Sequence, residues 1–498
     1  MLYLLCGATL LASLVLGGGT HSGFLGDVVV QLLSIPLLIL ALWPAFSDEP
    51  ARQEKGRIAL ALCGGLTLVV VLQVLPFPFD IWSGGARLLS GAAETPFTLP
   101  SSWTPLSIAP QATWAAAASL VVPLAIFCSV LQLDLTQRMM LCWVVLGFGV
   151  VSLALGFIQV AAGVESSLRF FEITNPTEAV GFFANRNHFA ALLNVTLVLS
   201  ALWLNATMES SLKSGASWTR SILWLAAAGT LVVAVLAGLM LARSRAGVFI
   251  AAGVLAGVAA MIILHRLSEP ASKEPRQKWR GRRFSLAVAM FAALFAVQFG
   301  LAGFLTRFES NMADDARIPL TKTTLETALK GLPFGTGLGS FVPVYSAVEK
   351  SADATAGFAN RAHNDLAEIL LETGIIGAAL LVAFLGWFGR KVMTAWGRPP
   401  SDDDPRQAAL ARAATLIMAL LLAHSLVDYP LRTTALAATF AFFSALLVSP
   451  VSVPRVELPK SPSGGGRVRQ RHTEAPVGGA WTPGGPWPES WQNRTTGT

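Results

Sequence analysis

Charge is what this sequence has least of. Only 13% of its 498 residues are Asp, Glu, Lys or Arg, against 53% that are hydrophobic. A soluble domain carries about 25% charged residues, so this chain cannot cover a globular surface with polar groups. No long polar stretch interrupts the apolar sequence before the C-terminal tail. These absences exclude a string of soluble domains. Lipid is the solvent in which an apolar exterior costs nothing. Cysteine is scarce too: Cys6, Cys63, Cys128 and Cys142 all fall in apolar runs, without metal-ligand or disulfide spacing. They read as small core- or lipid-facing residues. The apolar stretch Met1–Gly19 lacks a basic leading region, which makes it a retained first span rather than a cleavable signal. Solenoid repeats are absent, and so are the inverted pairs of broken helices that build many transporters. The modest excess of Lys and Arg (36) over Asp and Glu (29) is scattered among hydrophobic segments, which argues against a nucleic-acid partner.

What is present is a succession of apolar segments of spanning length, about 20 residues each. Twelve are expected: 2–19, 26–46, 57–75, 113–132, 138–161, 187–206, 221–241, 246–264, 284–305, 366–389, 408–426 and 433–449. The tenth begins polar, as a helix that enters the membrane from outside. The predicted fold class is therefore an all-α polytopic membrane protein of about 12 transmembrane helices. Residues 1–450 form the helical bundle, with a long outer loop at 306–365. Residues 451–498, rich in Gly, Pro and Ser with scattered Arg, read as a disordered cytoplasmic tail. Orientation follows from the basic residues, which concentrate on the cytoplasmic side. With both termini inside, the inner segments hold roughly twice as many Lys and Arg as the outer ones. The decisive stretch is 265–283, which carries Arg266, Lys273, Arg276, Lys278, Arg280, Arg282 and Arg283.

The outer connections carry less positive charge yet hold the most distinctive polar residues. GFFANRNHFAALL (181–193) places Asn185, Arg186, Asn187 and His188 at a span entrance, as helix cap or as functional groups. ARSRAG (242–247) puts Arg243 and Arg245 in a short outer turn, where arginine is costly unless it meets an anion. A guanidinium offers paired donors in a plane, which suits phosphate oxygens. The loop 306–372 contains Arg317 and then PLTKTTLETALKG, a short amphipathic helix with Leu320, Leu325 and Leu329 as its apolar positions. In GLPFGTGLGSFVPVY, Gly335, Gly337 and Gly339 imply a tight turn with close backbone approach. Without a Lys-Ser/Thr ending it is not a nucleotide phosphate loop. ANRAHNDLAEILLETGIIG (359–377) sets His363 at a helix entrance beside Asp365 and Glu368, which have capping-box-like spacing. Such a histidine suits a general base whose tautomer is fixed by a neighbouring acid. AHSLVDYPLRT (423–433) aligns His424, Asp428 and Arg432 at i, i+4 and i+8, across Pro430.

NRNHFA (185–190), SRAG (244–247), GTGLGSF (335–341), HNDLAEILLETGIIG (363–377) and HSLVDYPLR (424–432), in that order and spacing, resemble the O-antigen ligase/polymerase superfamily. The resemblance covers roughly residues 140–450, and HND-x-x-E-x-x-x-E-x-G-x-x-G is its most specific part. It implies a type-C-glycosyltransferase-like bundle with a long periplasmic loop, in the bacterial inner membrane. It further implies an inverting glycosyltransferase, working at the periplasmic face without metal or cofactor. The donor would be a glycan on undecaprenyl diphosphate, and the acceptor lipid A-core or another lipid-linked glycan. On this resemblance Arg186, Arg245 and Arg317 are the expected diphosphate ligands and His363 the base, with Glu368 or Asp365 orienting it. His188, Arg243, His424, Asp428 and Arg432 are further candidates. The competing readings are a transporter or flippase for a lipid-linked or anionic glycan, and a non-catalytic scaffold of the cell envelope. The transporter reading requires charged groups deep in several spans, and few are present there.

Overall fold

A computed structural model describes residues 1–20, 23–43, 56–78, 103–171, 175–213, 218–268, 317–349, 359–397 and 404–450. They belong to one unit, Met1–Ser452. The expected ninth span, 284–305, and the tail, 451–498, lie outside the described residues. The architecture is mostly helical, with one two-stranded ribbon. In chain order come α1 (Leu2–Leu16), α2 (Leu25–Leu42), α3 (Arg57–Val74), the strands β1 (Pro76–Pro78) and β2 (Trp103–Pro105), α4 (Pro110–Leu131), α5 (Leu135–Ala162), α6 (Arg186–Lys213), α7 (Trp218–Leu241) and α8 (Arg245–Ser268). Then follow α9 (Arg317–Lys330), α10 (Phe341–Val348), α11 (Asp365–Trp396), α12 (Pro405–Ser425), a 3-10 turn (Pro430–Arg432) and α13 (Thr434–Leu446). The strands pair antiparallel, Phe77 opposite Thr104.

Helices thus occupy every expected span that falls within the described residues. Seven of them are long and apolar enough to cross a membrane. The apolar stretches Leu2–Leu16, Ala226–Leu241, Arg245–Met261 and Thr434–Leu446 are shorter. Two kinds of local signal set the helix starts. Asp134 caps α5 by accepting from the Gln137 amide, while the Gln137 side chain accepts from the Asp134 amide. Asp404 caps α12 ahead of Pro405, whose missing N–H falls where a helix has no use for one.

The stretch of α6 from Arg186 to Leu204 is the axis of the bundle, 89% buried against 22% for α2. It packs against α5, α7, α8 and α12. Close approach to α8 depends on Gly247, where an added Cβ would meet Ala190 Cβ at 2.5 Å. Asn194 of α6 then reaches the Gly247 carbonyl at 3.0 Å, satisfying a polar group inside the bundle. Arg138 is buried and donates to the carbonyls of Leu131, Leu133 and Val448, at the ends of α4 and α13. It joins helix C-termini, where a cation is favoured.

The described part of the long loop holds α9 and α10, and two expectations about this region need correction. Of the three leucines assigned to one apolar face of α9, only Leu320 is buried, whereas Leu325 and Leu329 are exposed. The buried face is completed by Thr323, Thr324, Thr327 and Ala328. Threonine can be buried because Thr324 and Thr327 spend their hydroxyls on the carbonyls one turn back. Nor do Asp365 and Glu368 form a capping box. Asn364 is the cap, accepting from the amides of Leu366 and Ala367, which leaves both carboxylates free to face inward.

Helix α11 is broken at Gly374, where φ is 60° and ψ is −148°. The break frees the carbonyls of Leu371 and Glu372, which accept from the amides of Thr336 and Gly337 in the glycine turn. In return the Ile375 amide donates to the Pro333 carbonyl. Gln73 of α3 closes the junction, donating to the Glu372 carbonyl and accepting from the Leu338 amide. The Leu371 and Glu372 carbonyls and the Ile375 amide are thus each met by the glycine loop. A Cβ at Gly374 would lie 2.2 Å from the Pro333 oxygen. The Gly374→Ala variant is expected to lose about 1–3 kcal/mol or more from this backbone conformation. Thermal unfolding of the detergent-solubilised protein would read this, and an unchanged melting temperature would refute it.

Candidate functional site

The centre is built where the entrance of α11 meets the connection between α12 and α13. His363 precedes the cap residue Asn364 and has a φ of 51°, in the left-handed region that a bulky residue rarely adopts. Two contacts hold it there. Its Nδ1 lies 3.0 Å from Asp428 Oδ1, and its ring meets Tyr429 edge-on at 4.9 Å. Asn364 Nδ2 donates to the Leu426 carbonyl, and Arg317, at the start of α9, donates to the Val427 carbonyl. Three residues from two elements, the entrance of α11 and the start of α9, thus clamp residues 426–428.

Asp428 is fully buried and accepts from three sides: His363, its neighbour Tyr429's amide at 3.0 Å, and Asn187 Nδ2 at 2.6 Å. Burial by itself would push its carboxyl up. The His363 hydrogen bond and the positive field of His188, His363 and Arg317 outweigh that and hold it well below the usual carboxylate range. Its native pKa lies below its unfolded one, so the stability it contributes is present above the unfolded value, about pH 4, and is lost as pH falls through the native value. At neutral pH Asp428 is an anion and can only accept, so the proton between it and His363 sits on Nδ1. In the neutral imidazole that arrangement leaves the lone pair on Nε2. His188 is buried with its ring edge-on to Tyr429 at 5.0 Å, and His424 is buried one helical turn before Asp428.

The expected orienting acids, Asp365 and Glu368, lie elsewhere. Asp365, Glu368 and Glu372 follow at spacings of three and four, on one inward face of α11, and all are buried. They surround Arg432, which reaches Glu372 at 2.9 Å, Asp365 at 3.4 Å and Glu368 at 3.5 Å. Arg361 adds a second cation, 2.8 Å from Glu368. Burial disfavours the Arg432 charge, but Glu368, Glu372 and Asp365 more than reverse this and raise its affinity for the proton. Its guanidinium is committed to these partners. The sequence reading missed Glu372, whose Oε1 also accepts from the Gly339 amide. Three acids on one face of an apolar helix were the signal that buried cations must meet them.

The other candidate arginines lie at helix starts. Arg186 begins α6 and pairs with Glu178 at 2.6 Å while remaining half-exposed. Arg186 and Glu178's Thr177 partner outweigh burial and lower the Glu178 carboxyl below its ordinary value. Arg245 begins α8 and is exposed, as is Arg243, whose φ is 48°. None of the three touches His363, but two of their chain neighbours lead to it. Asn187, after Arg186, binds Asp428; Ser244, before Arg245, binds Asn187 at 2.8 Å. The structure therefore joins His363, Arg317, His188 and His424 around Asp428, and sets Arg186 and Arg245 one residue outside that frame. The sequence reading noted Asn187 only as one of four polar residues at a span entrance and did not single out Ser244, because neither residue type signals chemistry alone. Among the described residues no group of three or more His, Cys, Asp or Glu is placed to hold a metal ion.

Residues 229–382 match the family model described as O-antigen ligase. That stretch includes Arg243, Arg245, Arg317, His363, Asp365 and Glu368, and it ends before Asp428. No curated protein matches the chain.

Proposed function

We propose that this member of the O-antigen ligase/polymerase superfamily is a glycosyltransferase of the inner membrane that uses a glycan carried on undecaprenyl diphosphate. The family match supports a membrane enzyme of ligase or polymerase type that transfers glycans. The reading of His363 as its base rests on one observation, the His363–Asp428 pair. An acceptor hydroxyl on the glycan of lipid A-core, or of a second carrier lipid, is a weak nucleophile. It attacks the anomeric carbon as His363 Nε2 takes its proton. The new C–O bond forms while the bond to diphosphate breaks, and the electron pair leaves with undecaprenyl diphosphate. Direct attack inverts the anomeric centre. Arg245, Arg317 and Arg186 stabilise the departing charge, with Glu178 holding Arg186 ready until the more highly charged diphosphate displaces it. Charge asymmetry of the connections supports a periplasmic working face and cytoplasmic termini.

Deleting the gene and analysing the lipid-linked glycans tests this. Long chains stranded on undecaprenyl are expected for a ligase, and single repeat units for a polymerase. Vesicles reconstituted with the protein that move the lipid-linked glycan across the bilayer, with no glycosidic bond formed, would overturn the reading in favour of a flippase.

A further inference from the structure

The frame behind Asp428 has a direction. The Gly247 amide donates to Ser244 Oγ at 3.1 Å, which occupies a lone pair of that hydroxyl and turns its proton outward. That proton goes to Asn187 Oδ1 at 2.8 Å. Asn187 Nδ2 then donates to Asp428 Oδ2 at 2.6 Å, and Asp428 Oδ1 takes the Nδ1 proton of His363 at 3.0 Å. The Asn187 amide cannot be flipped without setting its oxygen against the carboxylate. Ser244, Asn187 and Asp428 are all buried, so the line is shielded from bulk solvent. Donors aligned one behind another strengthen each other in such surroundings. The frame also crosses four elements. Ser244 caps α8 immediately before Arg245, Asn187 lies in the first turn of α6 immediately after Arg186, Asp428 follows α12, and His363 precedes α11.

We infer that Asn187 and Ser244 are positioning residues, which fix the His363 tautomer through Asp428 and hold the base in register with the helix starts that carry Arg186 and Arg245. This rests on the transferase reading above. Neither residue touches the reacting atoms. Their effect passes through Asp428: without the Asn187 donor the carboxylate is less well satisfied on one side, turns more freely, and favours the protonated imidazole more strongly.

The test uses the full chain reconstituted in lipid vesicles, with donor and acceptor supplied by lipid extracts of cells lacking the gene. Asn187→Ala is expected to lower the transfer rate at saturating donor at least tenfold and to move the acid limb of the pH–rate profile to higher pH. Binding of undecaprenyl diphosphate, measured separately, stays within about threefold, because the arginines themselves remain. Ser244→Ala shows the same shift at smaller amplitude, and Ser244→Thr, which keeps the hydroxyl, restores the wild-type profile. The ring 15N signals of His363, assigned by their loss in His363→Ala, report Nδ1 protonation in the wild type and mixed tautomers in Asn187→Ala. An unshifted profile and an unchanged tautomer in Asn187→Ala overturn the inference. Should that variant fail to insert, the same result in Ser244→Ala overturns it. If the wild type transfers no glycan, the transferase reading fails instead, and the 15N signals still decide whether the frame sets the tautomer.

Discussion

Glycan transfer is expected to fall about 10²–10⁴-fold when His363 is replaced by alanine, the range a positioned general base contributes. Membrane insertion and yield should be unaffected, since the side chain is partly exposed and sits at a helix entrance rather than within the packed bundle. The measurement is transfer in reconstituted vesicles, normalised to inserted protein. Asp428→Asn sharpens the result. The asparagine keeps the shape, but its amide offers a donor as well as an acceptor, so the Nδ1 proton is no longer enforced. A large loss in this variant with intact folding would identify the pair, rather than the histidine alone, as the working unit. Normal glycan assembly in His363→Ala would remove the base from the mechanism and leave His188 and His424 as the remaining imidazoles near Asp428.

The largest stability effect is expected at Arg432. Changing it to methionine leaves Asp365, Glu368 and Glu372 buried with Arg361 as the only guanidinium shown bonding to any of them, and Arg361 is bonded to Glu368. Removing one side of such a buried cluster costs about 3–5 kcal/mol, because the orphaned charge cannot return to water. The damage should spread to the glycine turn, since Glu372 binds both Arg432 and the Gly339 amide. Loss of inserted protein, or a steep fall in its melting temperature, is the predicted outcome. Arg432→Lys should fall in between, because one ammonium cannot reach three carboxylates with the spread of a planar fork. If Arg432→Met were stable but unable to bind undecaprenyl diphosphate, Arg432 would be a ligand for the donor, and the structural role assigned here would fail.

These two sites differ in how far the sequence reveals them. The glycines of the turn, the helix start at Asn364 and the candidate residue His363 announce themselves within a few residues, because φ, capping and helix entry are local properties. Asp365 and Glu368 were expected to orient His363, but in the fold both face arginine and the carboxylate beside His363 is Asp428. Their true partner, Arg432, lies 67 residues from Asp365. Asp428 was noted only for its spacing from His424 and Arg432. In the fold Asp428 and Arg432 turn to different partners, because the helix that carries His424 ends at Ser425 and the spacing has no helical meaning beyond it.

Composition and pattern alone therefore determined that this chain is helical and lives in a membrane. They also placed the apolar segments and the stretches that hold the candidate site residues. Those properties follow from hydropathy, charge balance and neighbours in the chain, which any window of the sequence displays. Only the tertiary structure decided that Asp428 holds His363, that Arg432 is committed to three carboxylates, and that Asn187 and Ser244 join the arginine-bearing helices to Asp428 and His363. Such pairings depend on which inward faces meet when α6, α8, α11 and α12 pack, and in an apolar bundle many arrangements bury the same hydrophobic surface. The few buried polar groups select among them, since each must find its partner or bear the cost of lying in lipid unpaired.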